Sequence, residues 1–573
     1  MAKIHSLQIQ NFRGIKKFDQ TFGQSDIVCL IGRGDSGKST ILEAISHVLS
    51  PQWNISIQDS DFTDCDTKTP IQIQVTLREV SGKLIQDDKF GLYLRGITNN
   101  AVIDSVDEAE EIALTIRLRI NKDLEPQWFV FNEQQGEVHI SAADRSRLNV
   151  FMVSDYVDRH FSWNKGNPLY SLLKQNESEG VDEEDVIINA LREAKSKIDS
   201  HSFPELDTAL QKVIVSAKTF GIDISKVANT IDFKDILVKE GKVSLHDTKV
   251  PFRLKGKGSK RLLSIAIQTS LAEQRGIILI DEIEQGLEPD RVQHLVATLK
   301  KNNFGQIFLT THSQDVLVEL STSDLFLMRQ GASMLKTFST DLQGLLRGNP
   351  TSFFANKIIV CEGATEIGIC RALNAFKIEK GQSNAAYQGV RFADGKGSQG
   401  VVYTDGFYDS GFSTCLFCDS DLKKDNQDVN KNKDRLSKKG IKLVDWDSGD
   451  CLETAVFKYL PFDAMSDVLA CATAFKEAEE GGDLTIHKKA IWEGIAAKFG
   501  RECPSTFTAE TDSPALRAAM AKAATAKNKS WFKSQSKGNE LGKIIFKHWD
   551  AISDNKLKHQ LNELSKFIDG NGL

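Results

Sequence analysis

The sequence contains no apolar run that approaches the ~20 residues of a membrane-spanning helix. Its first stretch, MAKIHSLQIQNF, alternates polar and apolar residues and lacks the long apolar core of a signal peptide. The nine cysteines are scattered without the spacing of a disulfide framework. We therefore expect a cytoplasmic protein with reduced thiols and no association with a membrane.

An excess of charge of one sign is also missing. Lys and Arg number 72 against 78 Asp and Glu, which gives a net charge of −6. No global positive field would attract nucleic acid, so any such binding must come from local basic patches. The hydrophobic content of 40 % is typical of a globular protein. At ~100–200 residues per domain, the chain is long enough for about three or four units.

The strongest motif is a phosphate-binding loop, Gly-x-x-x-x-Gly-Lys-Ser, in the stretch IVCLIGRGDSGKST at 27–40. An apolar run precedes it and ILEAISHVL follows, which is the strand–turn–helix context that the motif requires. We expect Lys38 to reach the β- and γ-phosphates of ATP and Ser39 to ligate Mg²⁺. The nucleotide-binding residues predicted here are Gly32, Gly34, Asp35, Ser36, Gly37, Lys38, Ser39 and Thr40.

Two further apolar strands end in residue types that ATP hydrolysis uses. GIILIDE ends in Asp281 and Glu282, and QIFLTTHS reaches His312. Because the carboxyl ends of parallel strands line one edge of a sheet, we expect these residues beside the phosphate loop. Asp281 would hold Mg²⁺, Glu282 would act as general base and His312 would sense the γ-phosphate. The turn GKGSKR opens a helix and offers Ser259 to a nucleotide bound by a second copy.

The order of these motifs, with the opening Asn11–Gly14, resembles the ABC-type ATPases of the chromosome-maintenance and RecF-like group. The resemblance implies an ATPase domain at 1–345 and a homodimer or higher homo-oligomer in which two heads enclose two ATP molecules. A helical insertion at about 171–220 interrupts this domain, either as a dimerisation element or as a lid on its own domain. Gln72 and Gln74 are both candidates for the glutamine loop of the group.

A second α/β pattern begins after a boundary at 340–352 that contains Gly and Pro. Apolar strands are followed by Glu362 and Glu366 in KIIVCEGATE and by Asp419 and Asp421 in CLFCDSD. Clustered carboxylates repel one another, and hard cations such as Mg²⁺ or Mn²⁺ relieve that repulsion. With Glu453 at a predicted helix start, the metal ligands predicted here are Glu362, Glu366, Asp419, Asp421 and Glu453.

The pattern Glu-Gly-x-x-Glu followed by Asp-x-Asp resembles the Toprim domain of topoisomerases, primases and some nucleases. Placed after an ABC-type ATPase, it resembles the OLD (overcoming lysogenisation defect) family of nucleases. This resemblance implies a Toprim domain at 350–460 that holds two metal ions, and a helical C-terminal region at 461–573 that completes the nuclease. Relatives use a later lysine, for which Lys537 is the candidate and Lys533 and Lys543 are rivals. The catalytic residues predicted are Glu282, His312, Glu362, Asp419, Asp421 and Lys537.

These patterns predict an α/β protein: an ABC-type P-loop ATPase with a helical insertion, then a Toprim domain and a helical C-terminal region. We expect an ATP- and metal-dependent endonuclease or nickase acting on double-stranded DNA, in anti-phage defence as the OLD resemblance implies. The alternative is a non-nucleolytic, ATP-driven DNA clamp or repair factor, and a topoisomerase- or primase-like activity is a third reading. A helicase-like protein, or a reverse transcriptase with its RNA–DNA product, is a candidate partner.

The lysine-rich stretch at 522–547 is a candidate for contacts with the phosphate backbone of DNA. Trp531 and Phe532 lie within it and are candidates for stacking on bases. A solvated helix face with an apolar anchor is an equally good interpretation of most of this stretch. The sequence leaves open whether ATP activates or inhibits cleavage.

Overall fold

The computed structural model describes residues 2–161, 245–420 and 429–573, apart from gaps at 81, 149, 155–156, 248, 273–275, 303–304, 482, 501 and 528. Between 162 and 244 it describes only 167–169, 172, 192–193, 195–197 and 200. Most of the helical insertion predicted at 171–220 therefore lies outside the described residues, and so does Asp421.

The bounds of the strands are β1 Lys3–Phe12, β2 Ile15–Thr21, β3 Ile27–Ile31, β4 Ile71–Arg78, β5 Arg95–Thr98, β6 Ala101–Ile103, β7 Glu111–Ile120, β8 Pro126–Asn132, β9 Gly136–His139, β10 Val150–Val153, β11 His246–Asp247, β12 Val250–Pro251, β13 Ile277–Ile280, β14 Gln306–Thr310, β15 Leu325–Leu327, β16 Lys357–Cys361, β17 Val390–Asp394, β18 Ser413–Phe417 and β19 Lys442–Val444.

The bounds of the α-helices are α1 Lys38–Val48, α2 Ala142–Ser146, α3 Lys257–Ala272, α4 Pro289–Lys301, α5 Gln314–Leu317, α6 Gln343–Gly348, α7 Ala364–Glu379, α8 Gly400–Asp409, α9 Val429–Lys438, α10 Leu452–Tyr459, α11 Phe462–Glu480, α12 Leu484–Phe499, α13 Pro514–Ala524, α14 Gln535–Lys547 and α15 Lys556–Asp569. Among the described residues, no helix is both long enough and apolar enough to cross a bilayer.

In the described part of the chain, an eight-stranded antiparallel sheet packs on α1. Its order is β2-β1-β4-β7-β5-β6, and β8 and β9 continue it from β7. Alternation at 71–80 predicts a half-exposed strand, but nearly all of β4 is buried. The polar residues of the alternation pair within the sheet: Arg117 donates to Gln74 Oε1 at 2.9 Å, and the Thr76 and Thr115 hydroxyls lie 2.9 Å apart.

A five-stranded parallel sheet forms the centre of the first α/β unit, again counting described residues only. Its order is β10-β13-β14-β3-β15, and every neighbouring pair is parallel. Strands such as β13 (IILI) and β14 (QIFLT) are buried at every position, as expected of a sheet covered on both faces. Their carboxyl ends meet at one edge, where Asp281 and His312 follow β13 and β14 beside the phosphate loop.

The second α/β unit contains a four-stranded parallel sheet of order β17-β16-β18-β19 within the described residues. After β16 the chain adds β17 on one side of it, and after β17 it returns to add β18 on the other side of β16. The direction in which strands are added therefore reverses between β16 and β18. In such sheets ligands bind outside the strand ends at the point of reversal. Glu362 follows β16 and Asp419 comes shortly after β18 at this point.

Helices α11 to α15 follow the second sheet, and α14 packs directly on α7 through glycines. A Cβ atom added to Gly368 would lie 2.4 Å from the backbone N of Asn539, and one added to Gly538 would lie 2.5 Å from the Thr365 carbonyl oxygen. Both distances are below van der Waals contact. Only glycine therefore permits this approach of the two helices.

The boundary predicted at 340–352 does not interrupt the hydrophobic core. Phe353 is fully buried just after it. Its ring centre lies 5.1 Å from that of Phe338, which precedes the boundary, and 5.4 Å from that of Phe407 in the second unit. The two α/β units therefore share one continuous apolar cluster.

Candidate functional site

The phosphate loop requires glycine at its entry and exit. Gly32 has φ +152, and a Cβ atom there would lie 2.4 Å from the Met328 carbonyl oxygen after β15. Gly37 has φ +100 and caps α1, which begins at Lys38. The left-handed backbone at Gly37 disfavours any L side chain. The loop is thus fixed where it leaves β3 and where it enters the helix.

The Lys38 side chain lies inside this loop, and the residue as a whole is 6 % exposed. Its Nζ donates to the carbonyl oxygens of Gly32 at 3.2 Å and Arg33 at 2.8 Å. Burial lowers the pKa of Lys38, and the negative charges of Asp281 and Glu282 oppose that shift. The lysine therefore stands where the motif needs it for contact with phosphates.

Ser39 and Asp281 come together although 242 residues separate them. The Ser39 hydroxyl donates to Asp281 Oδ1 at 3.0 Å, and the Thr310 hydroxyl donates to the same oxygen at 2.6 Å. A hydroxyl and a carboxylate are hard oxygen ligands of the kind that Mg²⁺ prefers. This pair is the one that would hold a nucleotide-bound Mg²⁺.

Glu282 is exposed beside the phosphate loop on a constrained backbone. Its φ is +47, which an L residue adopts at a cost of about 1–2 kcal/mol. Two hydrogen bonds hold it: its N–H donates to Thr310 Oγ1 at 2.7 Å, and Arg261 Nη2 donates to its carbonyl oxygen at 2.9 Å. A constrained, exposed carboxylate suits the predicted role of general base.

Glu284 positions the segment that carries His312, a role that the sequence analysis missed. Its carboxylate accepts hydrogen bonds from the Thr311 hydroxyl and the His312 N–H, both at 2.7 Å. Partial burial lowers the pKa of His312, and the charge of Lys38 lowers it further. An acid just after the Asp-Glu pair is the signal that points to this contact.

A cavity of about 630 Å³ lies over the phosphate loop. It brings together the loop residues 34–40 with Glu282 and His312, as predicted. Segments that the sequence analysis did not assign complete its wall, namely Gly14, Ile15, Lys16 and Lys17 on one side and Met328, Gln330, Gly331 and Ala332 on the other.

Ser259 is exposed at the start of α3 and is not among the described residues that line this cavity. The neighbouring Gly258 packs on the loop after β13, where an added Cβ would lie 2.4 Å from the Gly286 carbonyl oxygen. The contact of Ser259 with a nucleotide held by a second copy stays a prediction.

The glutamine-loop candidates lie elsewhere. Gln72 and Gln74 are on β4 of the antiparallel sheet, away from the lining of the cavity. Gln74 Oε1 accepts from Arg117. Neither residue is therefore placed to sense the nucleotide in this chain.

Four carboxylates meet at the edge of the second sheet. The Asp419 N–H donates to Glu362 Oε2 at 2.9 Å. Asp419 Oδ1 accepts from the Leu452 N–H at 2.8 Å, at the start of α10, where Glu453 is the next residue. Glu366, in the first turn of α7, accepts from the Gly363 N–H at 2.9 Å. Two strand ends and two helix starts thus direct four acids to one place.

Each of these carboxylates acts on the others. Burial raises the pKa of Glu366 and Asp419, and the negative charges of the neighbouring acids raise both further. Burial also raises the pKa of Glu453. Carboxylates that lie close together out of water favour protons or cations, and their oxygens suit a hard divalent ion. Within the described residues, however, no three acids, His or Cys are already arranged as ligands of one ion.

The lysine predicted to support catalysis has another partner. Lys537 Nζ forms an ion pair with Glu479 Oε1 at 2.6 Å. Of its rivals, Lys543 pairs with Glu540 at 2.7 Å, whereas the charge of the exposed Lys533 acts on Glu453 and opposes the rise of its pKa. The supporting role of Lys537 stays a prediction, and Lys533 is the rival whose charge acts on the carboxylates.

Of the two interpretations of Trp531 and Phe532, the structure supports the apolar anchor and contradicts stacking on bases. Phe532 is fully buried and Trp531 is 9 % exposed. The Phe532 ring lies edge-on to that of Phe475, and the Trp531 ring lies edge-on to that of Phe457. Both residues anchor the chain to its core instead.

A parallel sheet whose edge carries a phosphate loop, a Ser–Asp pair and an exposed glutamate defines a P-loop ATPase. The model of a protein family described as "AAA domain, putative AbiEii toxin, Type IV TA system" matches residues 27–319, which is half of the chain. The chain belongs to this family. The match runs from β3 to just beyond α5 and ends before the second α/β unit.

A relative from Vibrio cholerae serotype O1 biovar El Tor, "Retron Vc95 probable ATPase", is 24 % identical over an alignment of 390 positions that covers 57 % of this chain and 74 % of the relative. A solved Smc head domain with an extended coiled coil, bound to the C-terminal domain of ScpA and derived from Pyrococcus furiosus, is 14 % identical with a TM-score of 0.33, and the match covers 59 % of this chain and 97 % of that one. A solved structure of the recombination mediator protein RecF with ATP is 14 % identical with a TM-score of 0.33. That match covers 59 % of this chain and 99 % of the RecF chain.

The prediction of an ATP-binding ATPase is confirmed by the family. The assignments of the second unit as a Toprim domain, and of the chain as an OLD nuclease, stay predictions.

Proposed function

We propose that this chain is an ATP-dependent, divalent-metal-dependent DNA endonuclease of the OLD type. In this proposal residues 1–345 form the ATPase domain, 350–460 a Toprim nuclease domain and 461–573 a helical region that completes the nuclease site. The convergence of Glu362, Glu366, Asp419 and Glu453 at the point of reversal of the second sheet supports it most directly.

The carboxylates would hold Mg²⁺ or Mn²⁺, and the bound cations would activate water and stabilise the leaving oxygen of a phosphodiester. Glu362 and Asp419 are linked through a backbone N–H, so they would bind from adjacent strand ends. Lys533, whose charge acts on Glu453, would contact the substrate phosphate. Asp421 is proposed as a further ligand from the sequence pattern alone.

Asp419→Asn tests this proposal, because the amide oxygen can still accept the hydrogen bond from the Leu452 N–H. We expect the variant to lose Mg²⁺- or Mn²⁺-dependent nicking of supercoiled plasmid while it retains ATP turnover. Asp434→Asn, an exposed acid on α9, is the matched control and should nick normally. Normal nicking by the Asp419 variant would overturn the assignment.

A second candidate is a non-nucleolytic, ATP-driven DNA clamp. Absence of nicking by the wild-type protein with any combination of metal and nucleotide, together with ATP-dependent retention on circular DNA, would establish the clamp.

The biological setting is proposed from the relative. A chain similar to a protein named as a retron ATPase supports a role in anti-phage defence, with a reverse transcriptase and its RNA–DNA product as candidate partners. The family resemblance further supports a homodimer in which Ser259 completes the partner's nucleotide site. Co-purification of the chain with the products of its neighbouring genes tests the first point, and the mass of the ATP-bound protein in solution tests the second.

A further inference from the structure

The segment that joins α13 to α14 is rich in lysine and firmly anchored. The Trp531 N–H donates to the Ala524 carbonyl oxygen at 3.0 Å, and the Lys529 N–H donates to the Ala526 carbonyl oxygen at 2.9 Å. With Phe532 fully buried, the backbone is held at both ends. The described residues of the segment, on either side of 528, are therefore tied to the core through their backbone.

Four lysines of this region face solvent. Lys522, in the last turn of α13, and Lys527, Lys529 and Lys533 in the segment are all exposed. None of them has an ion-pair or hydrogen-bond partner for its ammonium group among the described residues. We call these four the basic strip.

The lysines that follow on α14 differ in this respect. Lys537, Lys543 and Lys547 pair with Glu479, Glu540 and Asp467 at 2.6, 2.7 and 2.8 Å. Their charges are compensated within the chain. The basic strip therefore carries the positive charge of this lysine-rich stretch that is not held in ion pairs.

The anchors of the strip are the same elements that carry the carboxylates. The Thr365 hydroxyl donates to the Phe532 carbonyl oxygen at 3.1 Å, and Thr365 directly precedes Glu366. The Trp531 ring lies 5.9 Å from that of Phe457, which is one helical turn from Glu453 on α10. The strip is thus held at a fixed position beside the acidic edge.

A polyanion would be repelled by four clustered carboxylates and by a chain of net charge −6. Uncompensated lysines next to that cluster supply the local attraction that the whole molecule lacks. Lysine contacts with phosphates position a duplex without reading its sequence. We propose that the basic strip is the docking surface for the phosphate backbone of double-stranded DNA and guides a strand to the carboxylates; as a substrate path it rests on the proposed nuclease function.

The test uses the full-length protein in EDTA, where metal-dependent cleavage is off. Binding of a short fluorescein-labelled duplex is followed by anisotropy over a range of salt concentrations. The test variant is Lys522→Gln/Lys527→Gln/Lys529→Gln, which leaves Lys533 beside the carboxylates. The control is Lys488→Gln/Lys489→Gln/Lys498→Gln, which removes the same charge from exposed positions on α12. Thermal unfolding verifies that both variants fold.

We expect the test variant to bind the duplex about tenfold more weakly or worse and to lose about three from the slope of log affinity against log salt concentration. The control should stay close to the wild type. Equal loss in both variants, unchanged binding in the test variant, or wild-type protein that binds RNA but not duplex DNA would each overturn the proposal. Plasmid nicking by the wild type and by Asp419→Asn is measured separately. If the wild type binds duplex through the basic strip but never nicks plasmid, the nuclease proposal fails and the docking proposal stands.

Discussion

Arg329 Nη1 donates to Asn356 Oδ1 at 2.8 Å and to the Ala355 carbonyl oxygen at 2.9 Å. Arg329 lies within the segment 328–332 that walls the nucleotide cavity, and Asn356 immediately precedes β16, which leads to Glu362. Arg33 of the phosphate loop lies against the same corner, since a Cβ added to Gly389 would be 2.8 Å from its Nη1. Two arginines of the ATP site therefore contact the base of the second sheet.

Arg329→Ala should reduce communication between the two sites. Allosteric coupling needs an element that both sites contact, and this arginine joins their elements directly. We expect ATP to change hydrogen–deuterium exchange of β16 and β17 in the wild type, and the variant to lose most of that change while it still binds ATP. Arg291→Ala, an exposed position on α4, is the control. An unchanged response in the Arg329 variant would show that the coupling takes another route.

Glu282→Gln should slow ATP turnover by about 10²- to 10⁴-fold, because a glutamine cannot accept a proton from the attacking water. Its backbone hydrogen bonds to Thr310 and Arg261 do not involve the carboxylate, so ATP binding should persist. Phosphate release and nucleotide binding measure the two effects. Glu108→Gln, an exposed position in the loop between β6 and β7, serves as the control. Normal turnover in the Glu282 variant would remove the general base from position 282.

The nucleotide site follows closely from the sequence because its parts are short motifs at strand ends. A phosphate loop, Asp-Glu and His after apolar runs specify one edge of a parallel sheet, and the structure brings all three together. The acids of the second unit were found by the same logic. Contacts that depend on three-dimensional packing could not be predicted from the sequence. Examples are the hydrogen bond from the His312 N–H to Glu284 and the place of Gln330 in the cavity wall.

The C-terminal region shows the limit most clearly. From the sequence alone, Lys533 and Lys537 are equally good candidates for the catalytic lysine, and nothing shows that the neighbouring Trp531 and Phe532 are buried. Which lysine is paired depends on Glu479, more than 50 residues away on α11, and burial of Phe532 depends on packing against α11. The residue type shows that a lysine could contact a phosphate. Ion pairs with residues far along the chain decide which of several lysines is available to do so.

Stability should depend on pH through the acidic cluster. Burial and mutual repulsion raise the pKa of Glu366 and Asp419 above their ordinary values of 4.5 and 3.8. The folded protein then retains protons that the unfolded chain releases, so stability falls as pH rises from those ordinary values through the raised ones. In EDTA, we expect the unfolding midpoint to decline from mildly acidic to mildly alkaline pH.

Mg²⁺ or Mn²⁺ should raise that midpoint again at alkaline pH, because a ligand that binds only the folded state stabilises it. The double variant Glu366→Gln/Asp419→Asn should show a shallower decline with pH and no response to the metal. Asp434→Asn should behave as the wild type. A decline of equal slope in the double variant would show that other groups cause it.

Gly538→Ala should loosen the junction that holds the basic strip beside the carboxylates. The new methyl group would lie 2.5 Å from the Thr365 carbonyl oxygen, which is backbone and cannot move aside without displacing α7 or α14. Overpacking of this kind lowers the free energy of unfolding by about 1–3 kcal/mol. Gly494→Ala on α12 is the matched control, because no atom lies within 4 Å of its added Cβ. That change should instead raise the free energy of unfolding by about 0.5–1 kcal/mol, since alanine favours a helix interior. Urea unfolding measures both, and a Gly538 variant as stable as the control would contradict the close approach of the two helices.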